Sequence, residues 1–155
     1  MACPPPDAAP VSFAATEHVR DHCLCLHAQR AARGLARRFD AVLRPHGLTS
    51  GQFSLLMSLN RPQPAPMAAV AALLAMDRTT LTAALKPLER RGLVASVANP
   101  ADRRSRGLVL TGAGRARLAE ALPAWTRTHA EVDALLETRA HGPGDDLRGA
   151  LRALA

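Results

Sequence analysis

Residues 76–94 read MDRTTLTAALKPLERRGLV, a segment that contains its own helix start, apolar face and helix stop. Asp77 is a favourable N-cap residue, and Gly92 is typical of the position that follows a helix C-terminus. Three leucines recur at helical spacing along one face of the segment: Leu81, Leu85 and Leu88. The segment therefore predicts a helix from Asp77 to about Arg91, which Pro87 should bend.

The segments on either side of this helix complete a recognisable order. Residues 67–75 are predicted to form a short helix, and residues 60–66, with three prolines, a turn before it. After the helix, two short apolar runs at 93–97 and 107–110 flank a polar, basic stretch and predict a hairpin with a charged tip. Helix, turn, helix and hairpin together indicate a winged helix-turn-helix.

The basic charge is concentrated in the same region. Residues 77–117 contain nine basic and three acidic residues, a net charge of +6, whereas residues 1–76 carry +3 and residues 118–155 carry −2. A concentrated positive patch suits a polyanion such as nucleic acid. A helix of this size also fits the major groove of B-DNA, and an arginine-tipped hairpin can reach the adjacent minor groove.

The sequences of this helix and of the hairpin that follows it resemble those of the MarR family of bacterial winged helix-turn-helix transcription regulators. The resemblance rests on the LERRGLV sequence at 88–94, on the Asp102-x-Arg104 motif within NPADRRSRGLVLTGAGR at 99–115, and on Leu110-Thr111 after it. It implies a mainly α fold with a small two- or three-stranded β wing. It also implies a homodimer, joined through its N- and C-terminal helices, that binds a pseudo-palindromic operator in double-stranded DNA.

The resemblance and the side-chain chemistry together give candidate DNA-binding residues. Hydroxyls in the first helical turns, and long cations beyond them, suit contacts to phosphates and base edges. These candidates are Arg78, Thr79, Thr80, Thr82, Lys86, Arg103, Arg104 and Arg106. Asp102 is expected to orient Arg104 for the minor groove by charge-assisted hydrogen bonds. Ala83 departs from the long polar residue common at this position in the family, so that readout of one base should differ.

The rest of the chain divides around this domain. Residues 1–14 are predicted to be a flexible tail, and residues 15–155 a single MarR-like domain. Within it, the winged helix-turn-helix covers about 48–117, and the dimerisation helices cover about 16–44 and 118–155. Thr49 and Gln52 predict a capping box at the start of a short helix.

Cys23 and Cys25 are candidate thiol sensors, because the family includes sensors of organic hydroperoxides with a reactive cysteine in the first helix. On one unbroken helix, however, the two side chains would point about 200° apart. His22 is a candidate group to activate Cys25. We expect no metal site, no cofactor and no catalytic residue, and the effector is either a small molecule or an oxidant.

Other classes of protein fit the sequence less well. The chain lacks phosphate-binding glycine motifs, a nucleophile elbow and a zinc-protease motif, so we do not expect an enzyme. No leader sequence or apolar run of about 18 residues is present, which predicts a cytoplasmic protein without a membrane segment. An architectural or protein-interaction winged-helix module without an effector remains the alternative to a regulator.

Dimerisation is the first testable prediction. The first and last helices carry apolar residues that so small a monomer cannot cover: Val19, Leu26, Leu35, Leu135, Leu136, Leu147 and Leu151. Sedimentation at micromolar concentration should give about twice the chain mass of 16.4 kDa, and deletion of residues 145–155 should weaken the dimer. A stable monomer that binds DNA would contradict this prediction.

Overall fold

The structure is a computed structural model, and it describes residues 10–99, 102–139 and 144–152. Within those ranges it contains seven α-helices, one 3-10 helix (Arg44–His46) and three strands. The elements are α1 (Phe13–His22), α2 (Leu24–Leu43), α3 (Ser50–Ser58), β1 (Ala65–Pro66), α4 (Met67–Leu73), α5 (Arg78–Arg90), β2 (Val94–Asn99), β3 (Asp102–Leu110), α6 (Gly112–Arg139) and α7 (Gly144–Arg152). The mainly α fold with a small β wing is confirmed.

The chain divides into two compact units, with the boundary between Leu35 and Ala36. In the first unit, α1 begins at Phe13, where the Ser12 hydroxyl accepts a hydrogen bond from the Ala15 amide. Helix therefore starts inside the predicted tail, and residues 1–9 of that tail lie outside the described residues. Val19 is 56% exposed and Leu35 42% exposed.

The predicted first helix over about residues 16–44 is divided in two, and its prediction as a single helix is wrong. Helix α1 ends at His22, and Cys23 has extended backbone angles, φ −74° and ψ 103°, before α2 begins at Leu24. The Cys23 backbone amide still donates to the Val19 carbonyl, and the Cys23 carbonyl accepts from His27. Both neighbouring helices thus keep main-chain hydrogen bonds at this residue, although its own backbone is not helical.

The second unit is built on a leucine-rich core. The largest side chains that are almost completely buried are all leucines: Leu43, Leu55, Leu56, Leu59, Leu81, Leu88 and Leu108. They come from α2, α3, α5 and β3, with Leu59 at the end of α3. The capping box of α3 is present, and the Asp40 carboxylate accepts a further hydrogen bond from the Ser50 amide at 2.6 Å.

The wing is a three-stranded antiparallel sheet in the order β1-β3-β2. Strands β2 and β3 extend further into the hairpin than the apolar runs at 93–97 and 107–110 indicate, because they reach Asn99 and Asp102. Strand β1 lies in the segment predicted to be a turn, and Ala65 pairs with Leu108. A two-residue strand that ends in proline has no periodic signal of its own, and its pairing with β3 defines it.

Helix α6 runs continuously from Gly112 to Arg139 and includes Pro123. Its start is tied to the end of α5, because the Thr111 hydroxyl donates to the Gly92 carbonyl at 2.6 Å. Gly114 lies so close to Leu93 that an added Cβ would collide with the Leu93 carbonyl oxygen. On α6 and α7, Leu135, Leu147 and Leu151 remain between 42% and 48% exposed.

The turn between α4 and α5 contains a non-glycine residue in the left-handed region. Ala75 has φ +50°, a conformation that costs an L-residue roughly 1–2 kcal/mol. The Ala75 amide donates to the Ala72 carbonyl, and the Met76 amide donates to the Ala71 carbonyl at 2.9 Å. These hydrogen bonds and the packing of α4 and α5 hold the turn despite its backbone strain.

Ala75→Gly should therefore stabilise the protein. Relief of the left-handed strain outweighs the extra entropy of a glycine in the unfolded chain, and the net gain in unfolding free energy is about 0.5–1 kcal/mol. The gain should appear as a higher urea concentration at the unfolding midpoint, with an unchanged dependence of the unfolding free energy on urea concentration. The matched control, Ala72→Gly within α4, should lower the midpoint, and a loss of stability in Ala75→Gly would contradict the account.

Candidate nucleic-acid interface

Helix α5 has one buried and one exposed face. Leu81, Leu85 and Leu88 are at most 2% exposed. The opposite face carries exposed polar, basic and small side chains: Arg78, Thr79, Thr80, Thr82, Ala83 and Lys86. Burial of the leucines thus presents five of the eight candidate DNA-binding residues on one helix.

Five of these exposed residues line a shallow concavity of about 340 Å³: Arg78, Thr79, Thr82, Ala83 and Lys86. Arg78 and Lys86 are eight residues apart, or about 12 Å along the helix axis. Between them lie small side chains, and no acidic residue occurs between Arg78 and Leu88. The concavity is therefore a shallow surface with a cation toward either end and no acidic residue in its lining.

Two of the threonine hydroxyls already have partners. The Thr80 hydroxyl donates to Asp77 Oδ2 at 2.6 Å, and the Thr80 amide donates to Asp77 Oδ1 at 2.7 Å. The Thr82 hydroxyl donates to the Arg78 carbonyl at 2.7 Å. Thr80 is thus part of the helix cap and outside the concavity, whereas Thr82 lines the concavity and keeps only its acceptor capacity there.

The N-cap of α5 is an ionised carboxylate. Hydrogen bonds from the Thr80 hydroxyl, and then from its backbone amide, hold the pKa of Asp77 below its ordinary value of 3.8. The negative charge lies at the helix N-terminus, where the helix dipole favours it. This cap fixes the first turn of α5, which carries Arg78 and Thr79.

The wing places the remaining candidates on β3. The Arg106 guanidinium donates to the Ser96 hydroxyl at 2.9 Å and to the Ser96 carbonyl at 3.1 Å. Arg106 therefore ties β3 to β2 across the hairpin, a contact that the sequence did not indicate. The backbones of Asp102, Arg103 and Arg104 belong to β3, but their side chains lie outside the described part of the structure.

Comparisons with known proteins identify this architecture. The family model described as the MarR family matches residues 48–105. The transcriptional regulator MosR of M. tuberculosis, crystallised in complex with DNA, is 38% identical, with a TM-score of 0.74 over 86% of this chain and 93% of that one. The chain belongs to the MarR family.

Other solved structures of regulators agree with this assignment. The repressor CouR of Rhodococcus jostii, bound to a 23-mer DNA duplex, is 30% identical, with a TM-score of 0.67 over 94% of this chain and 96% of that one. A probable transcriptional regulator of Pseudomonas aeruginosa is 29% identical, with a TM-score of 0.74 over 87% and 98% of the two chains. A comparison with curated protein sequences gave no match.

A separate apolar cavity of about 300 Å³ lies in the second unit of this MarR-family chain. Its lining residues come from α3, the C-terminal end of α4, and α6: Phe53, Ser54, Met57, Ser58, Leu73, Leu74 and Trp125. Trp125 stacks on Phe53 with a ring-centroid distance of 5.7 Å. Leu73 is 69% exposed, so the cavity is open to solvent beside this residue.

The two described cysteines differ in setting. Cys23 is half-buried at the break between α1 and α2, and its sulfur accepts a hydrogen bond from the Leu26 amide at 3.4 Å. Cys25 is exposed, and its sulfur accepts from Gln29 Nε2 at 3.2 Å. His22, the candidate activator of Cys25, instead places Nδ1 at 2.9 Å from the His18 carbonyl oxygen.

Two findings concern other kinds of site. Within the described ranges, no three His, Cys, Asp or Glu side chains lie close enough together to hold a metal ion. None of the described helices is by itself long and apolar enough to cross a membrane, and α4 and α5 meet that test only as a pair bent by 102°.

Replacement of the α5 cap should change the acid stability of this MarR-family protein. Because the folded-state pKa of Asp77 lies below its ordinary value, its stabilising contribution is present above about pH 4 and is lost as the pH falls through the folded pKa. Asp77→Asn should therefore lower the thermal midpoint at neutral pH, with a difference from wild type that shrinks on acidification.

The measurement is a set of thermal unfolding curves between about pH 2.5 and 7. Glu89→Gln is the control, because it removes a carboxylate from the same helix without changing the cap. A constant difference between wild type and Asp77→Asn across this range would contradict the assigned role of the charge.

Proposed function

We propose that this protein is a sequence-specific transcription regulator that binds double-stranded DNA as a homodimer and represses the genes next to a pseudo-palindromic operator. The observation that carries the proposal is the concavity on α5, with Arg78 and Lys86 toward its ends and no acidic side chain between them. The relatives MosR and CouR, at 38% and 30% identity, were crystallised with DNA, and CouR is described as a repressor.

The chemistry of the concavity fits the major groove. Arg78 and Lys86 can reach phosphates or guanine edges, and Thr79 and Thr82 are small enough to let the helix approach base edges closely. Thr80 acts through the Asp77 cap and contributes to DNA binding by fixing the first turn of α5. These roles support placement of α5 in the groove, with its N-terminal half toward the bases.

The wing supplies the second set of contacts. We assign Arg104 to the minor groove, with Asp102 as its orienting carboxylate, and Arg103 to phosphate. Arg106 donates to Ser96, so it positions the wing and adds positive charge close to the phosphates. Two wings in a dimer would place such arginines on either side of a palindromic site.

The dimer itself is supported by apolar surface in each unit. Val19 and Leu35 are exposed in the first unit, and Leu135, Leu147 and Leu151 in the second. Exposed leucines at this density on terminal helices favour a protein interface. Two α5 helices related by a two-fold axis would then read the two halves of a palindrome.

We further infer that oxidation of the cysteine pair releases the DNA. The Cys25 thiolate attacks the terminal oxygen of an organic hydroperoxide, which gives a sulfenic acid and, after protonation, an alcohol. The Cys23 thiol then attacks the sulfenic acid sulfur, and a disulfide and water result. The extended backbone at Cys23 favours this second step, because a disulfide between residues two apart cannot form on an intact helix.

The apolar cavity supports a second class of effector. Phe53 and Trp125 stack against one another in its wall, and two serine hydroxyls lie beside them. A small planar apolar molecule with one polar group would fit such a lining. It would bind next to α4, which packs on α5. A shift of α4 on effector binding would then change the position of α5.

Salt dependence tests the nature of the DNA complex. If six or more phosphates are neutralised, log affinity against log salt concentration should have a slope of roughly −5 or steeper. Lys86→Ala should reduce the magnitude of this slope by about one, because one phosphate contact is lost. Arg127→Ala, which removes an exposed cation from α6, is the control and should leave the slope unchanged.

A slope near zero would contradict the proposal that nucleic acid is the partner. Equal slopes for wild type and Lys86→Ala would contradict a phosphate contact by Lys86. The measurement is fluorescence anisotropy of a labelled operator at several salt concentrations.

The oxidant response can be tested on the cysteines one at a time. Sub-millimolar organic hydroperoxide should release wild type from the operator, and a thiol reductant should restore binding. Cys25→Ser should bind DNA and show no response. Cys23→Ser should lose the disulfide, detected in wild type by mass spectrometry as the loss of two hydrogen atoms, whereas Cys3→Ser should behave like wild type.

A normal response in Cys25→Ser would mean that Cys25 is a structural residue. The effector would then be sought among small apolar ligands of the cavity, by titration against the same labelled operator.

A further inference from the structure

The middle of the α5 concavity has an unusual chemical character for a DNA-reading surface. Thr82 and Ala83 lie there, between Arg78 and Lys86. The Thr82 hydroxyl proton is engaged by the Arg78 carbonyl at 2.7 Å, and Ala83 has no polar side-chain atom. Thr82 and Ala83 together therefore offer methyl groups and one hydroxyl acceptor, and neither of them offers a side-chain hydrogen-bond donor.

Major-groove chemistry shows which base pair suits such a surface. Guanine presents two acceptors, N7 and O6, which need donors from the protein. Thymine presents a C5 methyl group, and its partner adenine presents the N6 amino donor beside it. A methyl contact and a hydroxyl acceptor therefore match a thymine–adenine pair, whereas a guanine at the same position would find no donor on Thr82 or Ala83.

Ala83 distinguishes thymine from cytosine, which the Thr82 hydroxyl oxygen cannot do. The Thr82 oxygen can accept from the cytosine N4 amino group as well as from adenine N6, because both are donors in the major groove. Cytosine lacks the C5 methyl group. Contact of that methyl group with the exposed Ala83 side chain thus selects thymine over cytosine at the same position.

We propose that Ala83 is a specificity-determining residue, and that it reads the C5 methyl group of one thymine in each half-site, with Thr82 accepting from the amino group of an adjacent base. This proposal rests on the proposed DNA-binding function and gives it a chemical preference. Arg78 and Lys86 hold α5 against the DNA phosphate backbone, while Thr82 and Ala83 at the centre of the concavity determine which base is preferred.

The experiment removes only the methyl group. An operator is first selected from random DNA with wild-type protein, and each thymine of one half-site is then replaced singly by deoxyuridine. Burial of one methyl group is worth about 0.8 kcal/mol, or roughly four-fold in affinity. One thymine per half-site should show this loss with wild type, and replacement of that thymine by 5-methylcytosine should cost less than replacement by cytosine.

The ratio of affinities for the thymine and deoxyuridine operators is then measured for variants. Ala83→Gly should bring this ratio to about one at the critical thymine, whatever the cost of a glycine to overall binding. Ala84→Gly is the matched control, since it makes the same change at the next residue, which does not line the concavity. It should keep the wild-type ratio.

The outcomes separate this proposal from the function on which it rests. A selected operator at which wild type tolerates deoxyuridine everywhere, or an unchanged ratio in Ala83→Gly, overturns the assignment of Ala83 and leaves the DNA-binding function standing. Failure to select any DNA, with affinity independent of sequence, overturns the proposed function and this assignment with it.

Discussion

Burial of the leucine face of α5 is the constraint on which the rest of the structure depends. Leu81, Leu85 and Leu88 are at most 2% exposed, and burial of each leucine contributes about 1.5–3 kcal/mol. A rotation of α5 about its axis would expose them, so the helix has one stable orientation. Thr79, Thr82, Ala83 and Lys86 then face solvent together, and the candidate interface follows from the core.

Short hydrogen bonds fasten the neighbouring elements to this helix. Asp77 fixes its first turn through Thr80, and the Thr111 hydroxyl ties its C-terminal end to the start of α6 at the Gly92 carbonyl. Arg106 joins the two long strands of the wing at Ser96. These hydrogen bonds fix the backbone of α5 and the pairing of β2 with β3, the elements that carry the candidate DNA-binding residues.

The sequence predicted those elements that have strong local signals. Helix α5 has an N-cap, a leucine period and a glycine stop, and its observed bounds agree with the prediction to within a residue at either end. Three features could not be predicted, because non-local contacts determine them. Strand β1 exists by pairing with β3, the left-handed Ala75 is held by the packing of α4 and α5, and the helix break at Cys23 has no proline or glycine beside it. For the interface, residue types indicated DNA contacts, but only the structure shows that Thr80 and Arg106 are engaged within the protein.

Hydrogen–deuterium exchange with and without a selected operator tests the central claim most directly, because it locates the contact surface without any substitution. The account predicts that DNA slows exchange most at the amides of α5, Arg78–Arg90, and of the wing strands β2 and β3, with little change in the α6 segment that follows Pro123. Strongest protection on α6, with α5 unchanged, would contradict the assignment of the α5 concavity as the DNA-reading surface.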